Sequence, residues 1–255
     1  MIRVVSDEVP EDQATPEIAA GYARIRGLLG STFVPTVYRR LAPYPDAFAL
    51  AVDRLAAVVD LGNTSGFPEK ARSLAVAALP ARAQGQGPRA AGVSKAIGRY
   101  RAANPTNLLF SLAISSPTTT WQPGVMAPPL PPPCADIWQD IRGCHGGPIV
   151  PGLWRDLAPW PDELRQLWRQ TRLAADGGDI LAARQPVLAA AQDLLSDAGL
   201  GTRDGGVLDS LPPDAAMEFS WFPVGVASMI AEGEFLDQLT NSPHTHNGRI
   251  AHEPA

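Results

Sequence analysis

One stretch of this chain is written twice, and that repeat limits what it can fold into. Tyr22 to Pro45 reads YARIRGLLGSTFVPTVYRRLAPYP, and Trp138 to Pro161 reads WQDIRGCHGGPIVPGLWRDLAPWP. The offset, 138 − 22 = 116, holds without a gap, and eleven of the twenty-four pairs are identical. Chance would give about one or two. Three further pairs, Tyr22/Trp138, Tyr38/Trp154 and Tyr44/Trp160, exchange one aromatic for another. An offset of 116 residues is too long for a solenoid, whose units run to roughly 20–50 residues. The expected object is two similar halves packed face to face, as in a dimer fused into one chain.

Helical signals run through both halves. Thr15-Pro16-Glu17 is a cap, a first-turn proline and an acid placed to start a helix. Ile18, Tyr22, Ile25 and Leu29 follow at helical spacing, and Gly30 ends the run. A short helix is expected over Thr36 to Ala42 and a longer one from Pro45 through Val59, with Gly62 to Gly66 as a loop. Pro68-Glu69 opens another helix that stops before Pro80, and Ala81 to Gly87 reads as a flexible turn. Val93 to Ala103 is expected to be helical, Asn104-Pro105 to break it, and Thr106 to Ile114 to form an apolar central helix. The second half repeats the order: Ala135 to Gly143, Val150 to Ala158, Asp162 to Ala175, and Asp179 to Leu195 interrupted by Pro186. A last helix starts at Pro212-Pro213-Asp214 and is kinked by Pro223. No convincing alternating strand occurs, so the fold class is all-α. The expected organisation is a first helical repeat over 1–114, a proline-rich linker over 115–133, a second repeat over 134–240 and a frayed tail over 241–255. The linker holds seven prolines, which favour a stiff extended spacer.

Composition narrows the function classes. Apolar residues make up 45% and charged residues 18%, as in a globular chain. The net charge of −5, with no basic run, argues against nucleic acid as a partner. There is no signal-like start and no apolar run of 18 residues, so neither export nor membrane insertion is expected. Cys134 and Cys144 form no CxxC or Cys/His cluster, and no metal or cofactor is implied. A cytoplasmic setting with free thiols fits, with a small-molecule substrate and a possible homodimer.

No GxSxG, HExxH, P-loop or GxGxxG motif is present. What remains is the cleft between the two halves, where the loops TFVPTVYR and PIVPGLWR face each other. The doubled IR…G…(F/I)VP…(Y/W)R.LA.(Y/W)P pattern, together with ANPTNLL, resembles the group I 2-haloacid dehalogenases. The resemblance covers about Pro16 to Thr240. It implies an all-helical pseudo-dimer in which an aspartate of an SDYR-like motif activates water to displace halide directly. An asparagine of an NPxY-like motif and a first-loop aromatic help to form the pocket. By that match Asn104 is the family asparagine, Asn107 replaces the tyrosine and Phe33 is the aromatic. GLWR stands where SDYR is expected, so Leu153 holds the place of the aspartate. Leucine cannot take a proton, and a carboxylate base is worth roughly 10²–10⁴-fold.

Other groups are candidates for the missing role. Asp156 lies one helical turn beyond Leu153; its counterpart in the repeat is Arg40, so the pair also reads as simply surface-exposed. Glu218, in the apolar run AMEFSWF, would act near neutrality if buried. His145 follows Cys144 in a loop expected to face the cleft. The catalytic candidates are therefore Asn104, Asp156, Glu218 and His145. The binding candidates are Phe33, Thr36, Asn107, Leu153, Trp154, Trp221 and Phe222; the aromatics among them fit a core role as well, and Asn104 also suits a helix cap. Three functions follow as expectations. The first is a cofactor-free enzyme turned to cyclisation, elimination or isomerisation of a largely apolar metabolite. The second is a hydrolytic dehalogenase with a relocated carboxylate. The third is an inactive small-molecule-binding protein.

Overall fold

The computed structural model describes residues 8–80, 90–115, 134–200 and 206–241, and no strand occurs among them. The first half holds α1 (Pro16–Leu29), α2 (Thr36–Leu41), α3 (Pro45–Ser65), α4 (Phe67–Ala78) and α5 (Ala91–Ile114). The second holds α6 (Ala135–His145), α7 (Gly152–Arg155), α8 (Pro161–Asp176), α9 (Asp179–Asp197), α10 (Pro213–Phe219) and α11 (Phe222–Asn241). Short 3₁₀ turns stand at Glu11–Gln13 and Val207–Ser210. Among the described residues no helix is long and apolar enough to cross a membrane.

Matching residues of the repeat set matching boundaries. Gly30 and Gly146 close α1 and α6 at φ 58° and 60°, a region that side chains other than glycine's rarely enter. Pro45 and Pro161 open α3 and α8, where no amide hydrogen is needed. The amides of Tyr44 and Trp160, one residue earlier, return to the carbonyls of Leu41 and Leu157 at 2.9 Å in both halves. The shared apolar pairs Ile25/Ile141, Tyr38/Trp154 and Leu41/Leu157 are fully buried. Each such side chain contributes about 1.5–3 kcal/mol on leaving water. At the centre α5 packs chiefly on α11, and α4 on α9, with α5–α9 and α4–α11 contacts crossing between them.

Several expected breaks are absent. Gly62 to Gly66 is not a loop: α3 runs to Ser65 and ends at Gly66, φ 64°. Gly62 is buried, and a Cβ there would stand 3.4 Å from Leu109 Cδ1. Packing on α5 thus outweighs the roughly 1 kcal/mol helix penalty of glycine. Asn104-Pro105 does not divide α5, and Pro186 does not interrupt α9. A proline removes one helical hydrogen bond, but fourteen residues of α5 are buried, which keeps the helix whole. Pro223 does not kink a helix either. It lies in the first turn of α11, after a break at Ser220-Trp221, where its missing amide is not needed. The short second-half helix is only Gly152–Arg155. The turn at Ala81 to Gly87, nearly all of the proline-rich stretch and the tail after Asn241 lie outside the described residues.

Candidate functional site

A cavity of about 20 Å³ lies where α2, α5, the loop into α7 and the α10–α11 junction meet. Both halves build it. Thr36, Val37, Tyr100, Asn104 and Asn107 come from the first, and Ile149, Gly152, Trp221, Phe222 and Met229 from the second. One water needs about 10–15 Å³ measured in this way, so the cavity as it stands has room for little more. The loops approach closely because glycine allows it: a Cβ on Gly152 would lie 2.7 Å from Tyr100 Oη and 3.1 Å from Thr36 Oγ1. Trp221 is wedged in the same manner. Its ring would be 2.1 Å from a Cβ on Gly147 and 2.5 Å from one on Gly225, and its Nε1 donates to the His145 carbonyl at 3.1 Å.

The polar groups of this cavity are neutral. Tyr38 Oη donates to Asn107 Oδ1 at 3.1 Å, which fixes one asparagine. The Asn104 side chain is 1% exposed, and its Nδ2 has no hydrogen-bond partner among the described residues. Burial pushes the Tyr100 phenol far above its ordinary range, and neighbouring Asp156 adds to the shift. Burial does the same to Tyr38. Among the described residues that line the cavity there is no carboxylate, imidazole or thiol.

The residues expected from the sequence divide accordingly. Thr36, Asn104, Asn107, Trp221 and Phe222 line the cavity. Leu153 is fully buried but is not part of the lining, although its counterpart Val37 is. Trp154 is buried beside Trp168 and donates its Nε1–H to Glu232 Oε2 at 2.9 Å. Phe33 lies under the Arg99 guanidinium at 5.0 Å, and Arg99 in turn pairs with Asp156 at 2.9 Å. The counterpart of Asp156, Arg40, is not on the surface: it is 2% exposed and its Nε donates to Glu218 Oε1. Glu218 is thus buried, as its apolar neighbours suggested, but in an ion pair outside the cavity. Burial raises its carboxyl above the ordinary range, and Arg40 opposes that shift. His145 Nε2 stands 3.0 Å from Glu232 Oε1, and His145 is not part of the cavity lining.

Two acids had no signal in the sequence. Glu8 gathers Arg155 Nη1 at 2.6 Å, Arg39 Nη2 at 3.2 Å and Arg40 Nη1 at 4.0 Å. Arg39 and Arg155 are an identical pair of the repeat, and both also donate to Thr36 Oγ1, at 3.4 and 2.6 Å. The repeated arginines were legible; the lone acid that joins them was not. Glu232 is buried mid-helix and collects Trp154 and His145, from elements far away in sequence.

The all-α helix arrangement is one that solved structures of haloacid dehalogenases also have. One described as a complex of a D-2-haloacid dehalogenase mutant with D-2-CPA has a TM-score of 0.70 at 18% identity, covering 92% of this chain and 96% of that one. A D-2-haloacid dehalogenase mutant crystal structure has a TM-score of 0.71 at 18% identity, covering 94% and 97%. A complex of D-2-haloacid dehalogenase with L-LA has a TM-score of 0.71 at 18% identity, covering 94% and 98%. No family profile and no curated protein matches the sequence. The resemblance is therefore one of fold.

Proposed function

We propose that this protein is a small-molecule protein on the haloacid dehalogenase scaffold that does not hydrolyse haloacids. It holds a neutral, largely apolar guest between two fused, pseudo-twofold halves. The packing of α4 on α9 and α5 on α11, elements at matching places in the two halves, supports the two-half reading. The observation that carries the function is the lining itself. It is apolar, it offers the unpartnered Asn104 Nδ2, and no group in it exchanges a proton near neutrality. Asn104 donates to a carbonyl or ether oxygen of the guest. A guest larger than water needs the lining side chains to move apart.

Chemistry in such a site comes from holding one conformation of the guest, which favours a unimolecular cyclisation or isomerisation. General-base hydrolysis has no base here, since Asp156 and Glu218 are each held by an arginine outside the lining. Thermal-shift screening with neutral lactones, cyclic ketones and amides tests the reading. Stabilising compounds should lose about 1–3 kcal/mol of binding in Asn104→Ala, the cost of removing a buried polar partner. Halide release from racemic 2-chloropropionate should stay negligible. Turnover of about 1 per second or more, or hits untouched by Asn104→Ala, refutes it.

A further inference from the structure

On another face of α11 lies an open cleft of about 300 Å³, bounded by the end of α6, α8, α9 and α11. It shares no residue with the cavity above and does not depend on that reading. Its floor is the His145–Glu232 pair, whose side chains are each 2% exposed and whose facing atoms lack the angle of a hydrogen bond. One wall is apolar, formed by Ala175, Ile180 and Leu181, and Leu181 is 45% exposed.

Two arginines and two carboxylates line this cleft, but they are not paired one to one. Arg172 is engaged by Asp176 at 3.1 Å and Asp140 at 3.9 Å. Glu232 is engaged by His145 and the Trp154 indole. Arg184 has only the Ser228 hydroxyl, 3.3 Å from its Nη1, and no ion pair among the described residues includes it. The Ser228 hydroxyl donates its own hydrogen bond to the Val224 carbonyl at 3.0 Å, so it orients the guanidinium without neutralising it. Burial disfavours the charged form of Arg184. An unpaired, half-buried guanidinium beside an apolar wall is complementary to a ligand with an anionic head and a short hydrocarbon tail. A planar fork of N–H donors suits a carboxylate.

We infer that this cleft binds a short-chain monocarboxylate, with its head on Arg184 and its tail against Ile180 and Leu181. A more highly charged anion without a tail fits less well, because Asp176 and Glu232 also border the cleft. Cys144 lines the cleft and is partly exposed, whereas Cys134 is buried, so alkylation of Cys144 reports occupancy. The rate of iodoacetamide modification, followed by mass spectrometry at pH 8.5 and constant ionic strength, should fall at least threefold and saturably with butyrate. Butyramide at the same concentrations should not protect, and inorganic phosphate should protect less. Arg184→Gln should abolish protection by butyrate. Arg24→Gln, an exposed arginine paired with Asp53, should retain it. Protection by butyramide, equal protection by phosphate, protection that survives Arg184→Gln, or no protection by butyrate overturns the inference; the comparisons among probes need no variant.

Discussion

The Arg40–Glu218 pair joins α2 of one half to the end of α10 in the other, with side chains 2% and 1% exposed. Removing one partner of such a pair costs about 3–5 kcal/mol, because the other charge is stranded. Glu218→Leu leaves Arg40 with Glu8 at 4.0 Å as its remaining counter-charge, which places the cost near the lower end, about 3 kcal/mol. For a chain of this size that is a fall in Tm of about 6–12 °C, at about 2–4 °C per kcal/mol. Glu218→Gln keeps an oxygen for Arg40 Nε but not the counter-charge, so it should cost somewhat less than Glu218→Leu, about 1.5–3 kcal/mol. The double variant Arg40→Met/Glu218→Leu strands nothing and should recover most of the loss, since apolar replacements of buried pairs are often neutral or stabilising. The pH dependence has a defined sign. The carboxyl of Glu218 is raised in the folded state, so the folded chain holds its proton longer than the unfolded one. Stability should therefore fall as pH rises from the ordinary carboxylate value of 4.5 to the raised one, and Glu218→Gln should lack that slope. Urea unfolding followed by circular dichroism at several pH values measures all three variants. A loss in Glu218→Leu below about 1 kcal/mol, the size of a surface pair, or a double variant no better than Glu218→Leu, would refute the reasoning.

Leu153→Asp should not create dehalogenase activity, because the side chain is fully buried outside the cavity lining; it should instead destabilise by several kcal/mol, about 2–7 for an unpaired polar group, read from denaturant unfolding. Gly147→Ala should cost about 1–3 kcal/mol by overpacking against Trp221, with a change in tryptophan fluorescence, while Gly27→Ala, which has open space around it, should cost nothing comparable. The Tyr22 phenol, which donates to the Val9 carbonyl at 2.7 Å, is pushed up to about 12, chiefly by burial. Stability should accordingly be lost as pH rises from 10 towards 12, and Tyr22→Phe should flatten that decline in alkaline melts.

The repeat made the fold readable because its identical residues are structural: paired glycine stops, paired proline starts and paired buried aromatics. Local breaking rules misled at Gly62, Asn104-Pro105, Pro186 and Pro223, where packing or a place in a first turn prevailed. Part of the cavity was readable too: Thr36 follows from the first loop, Asn104 and Asn107 from the NPTN segment, and Trp221 and Phe222 from the AMEFSWF run. Leu153, Trp154, Asp156 and Glu218 lie outside the lining, against neighbours that only the assembled halves supply. Glu8 and Glu232 could not be found by spacing, because their partners lie 147 and 78 residues away.

The reliance of α5 on α11 also sets a schedule for synthesis. Leu108, Leu109 and Phe110 have no solvent exposure in the finished protein, and α11 is the chief cover of their helix. A ribosome that has completed Ile114 must add 241 − 114 = 127 residues before α11 is whole. At roughly 5–20 residues per second that interval is about 6–25 s, during which the first half carries an oily helix covered only by α3 and α4. Synonymous codon changes between positions 115 and 241, which leave every atom of the protein the same, should therefore alter how much of it escapes chaperones and inclusion bodies.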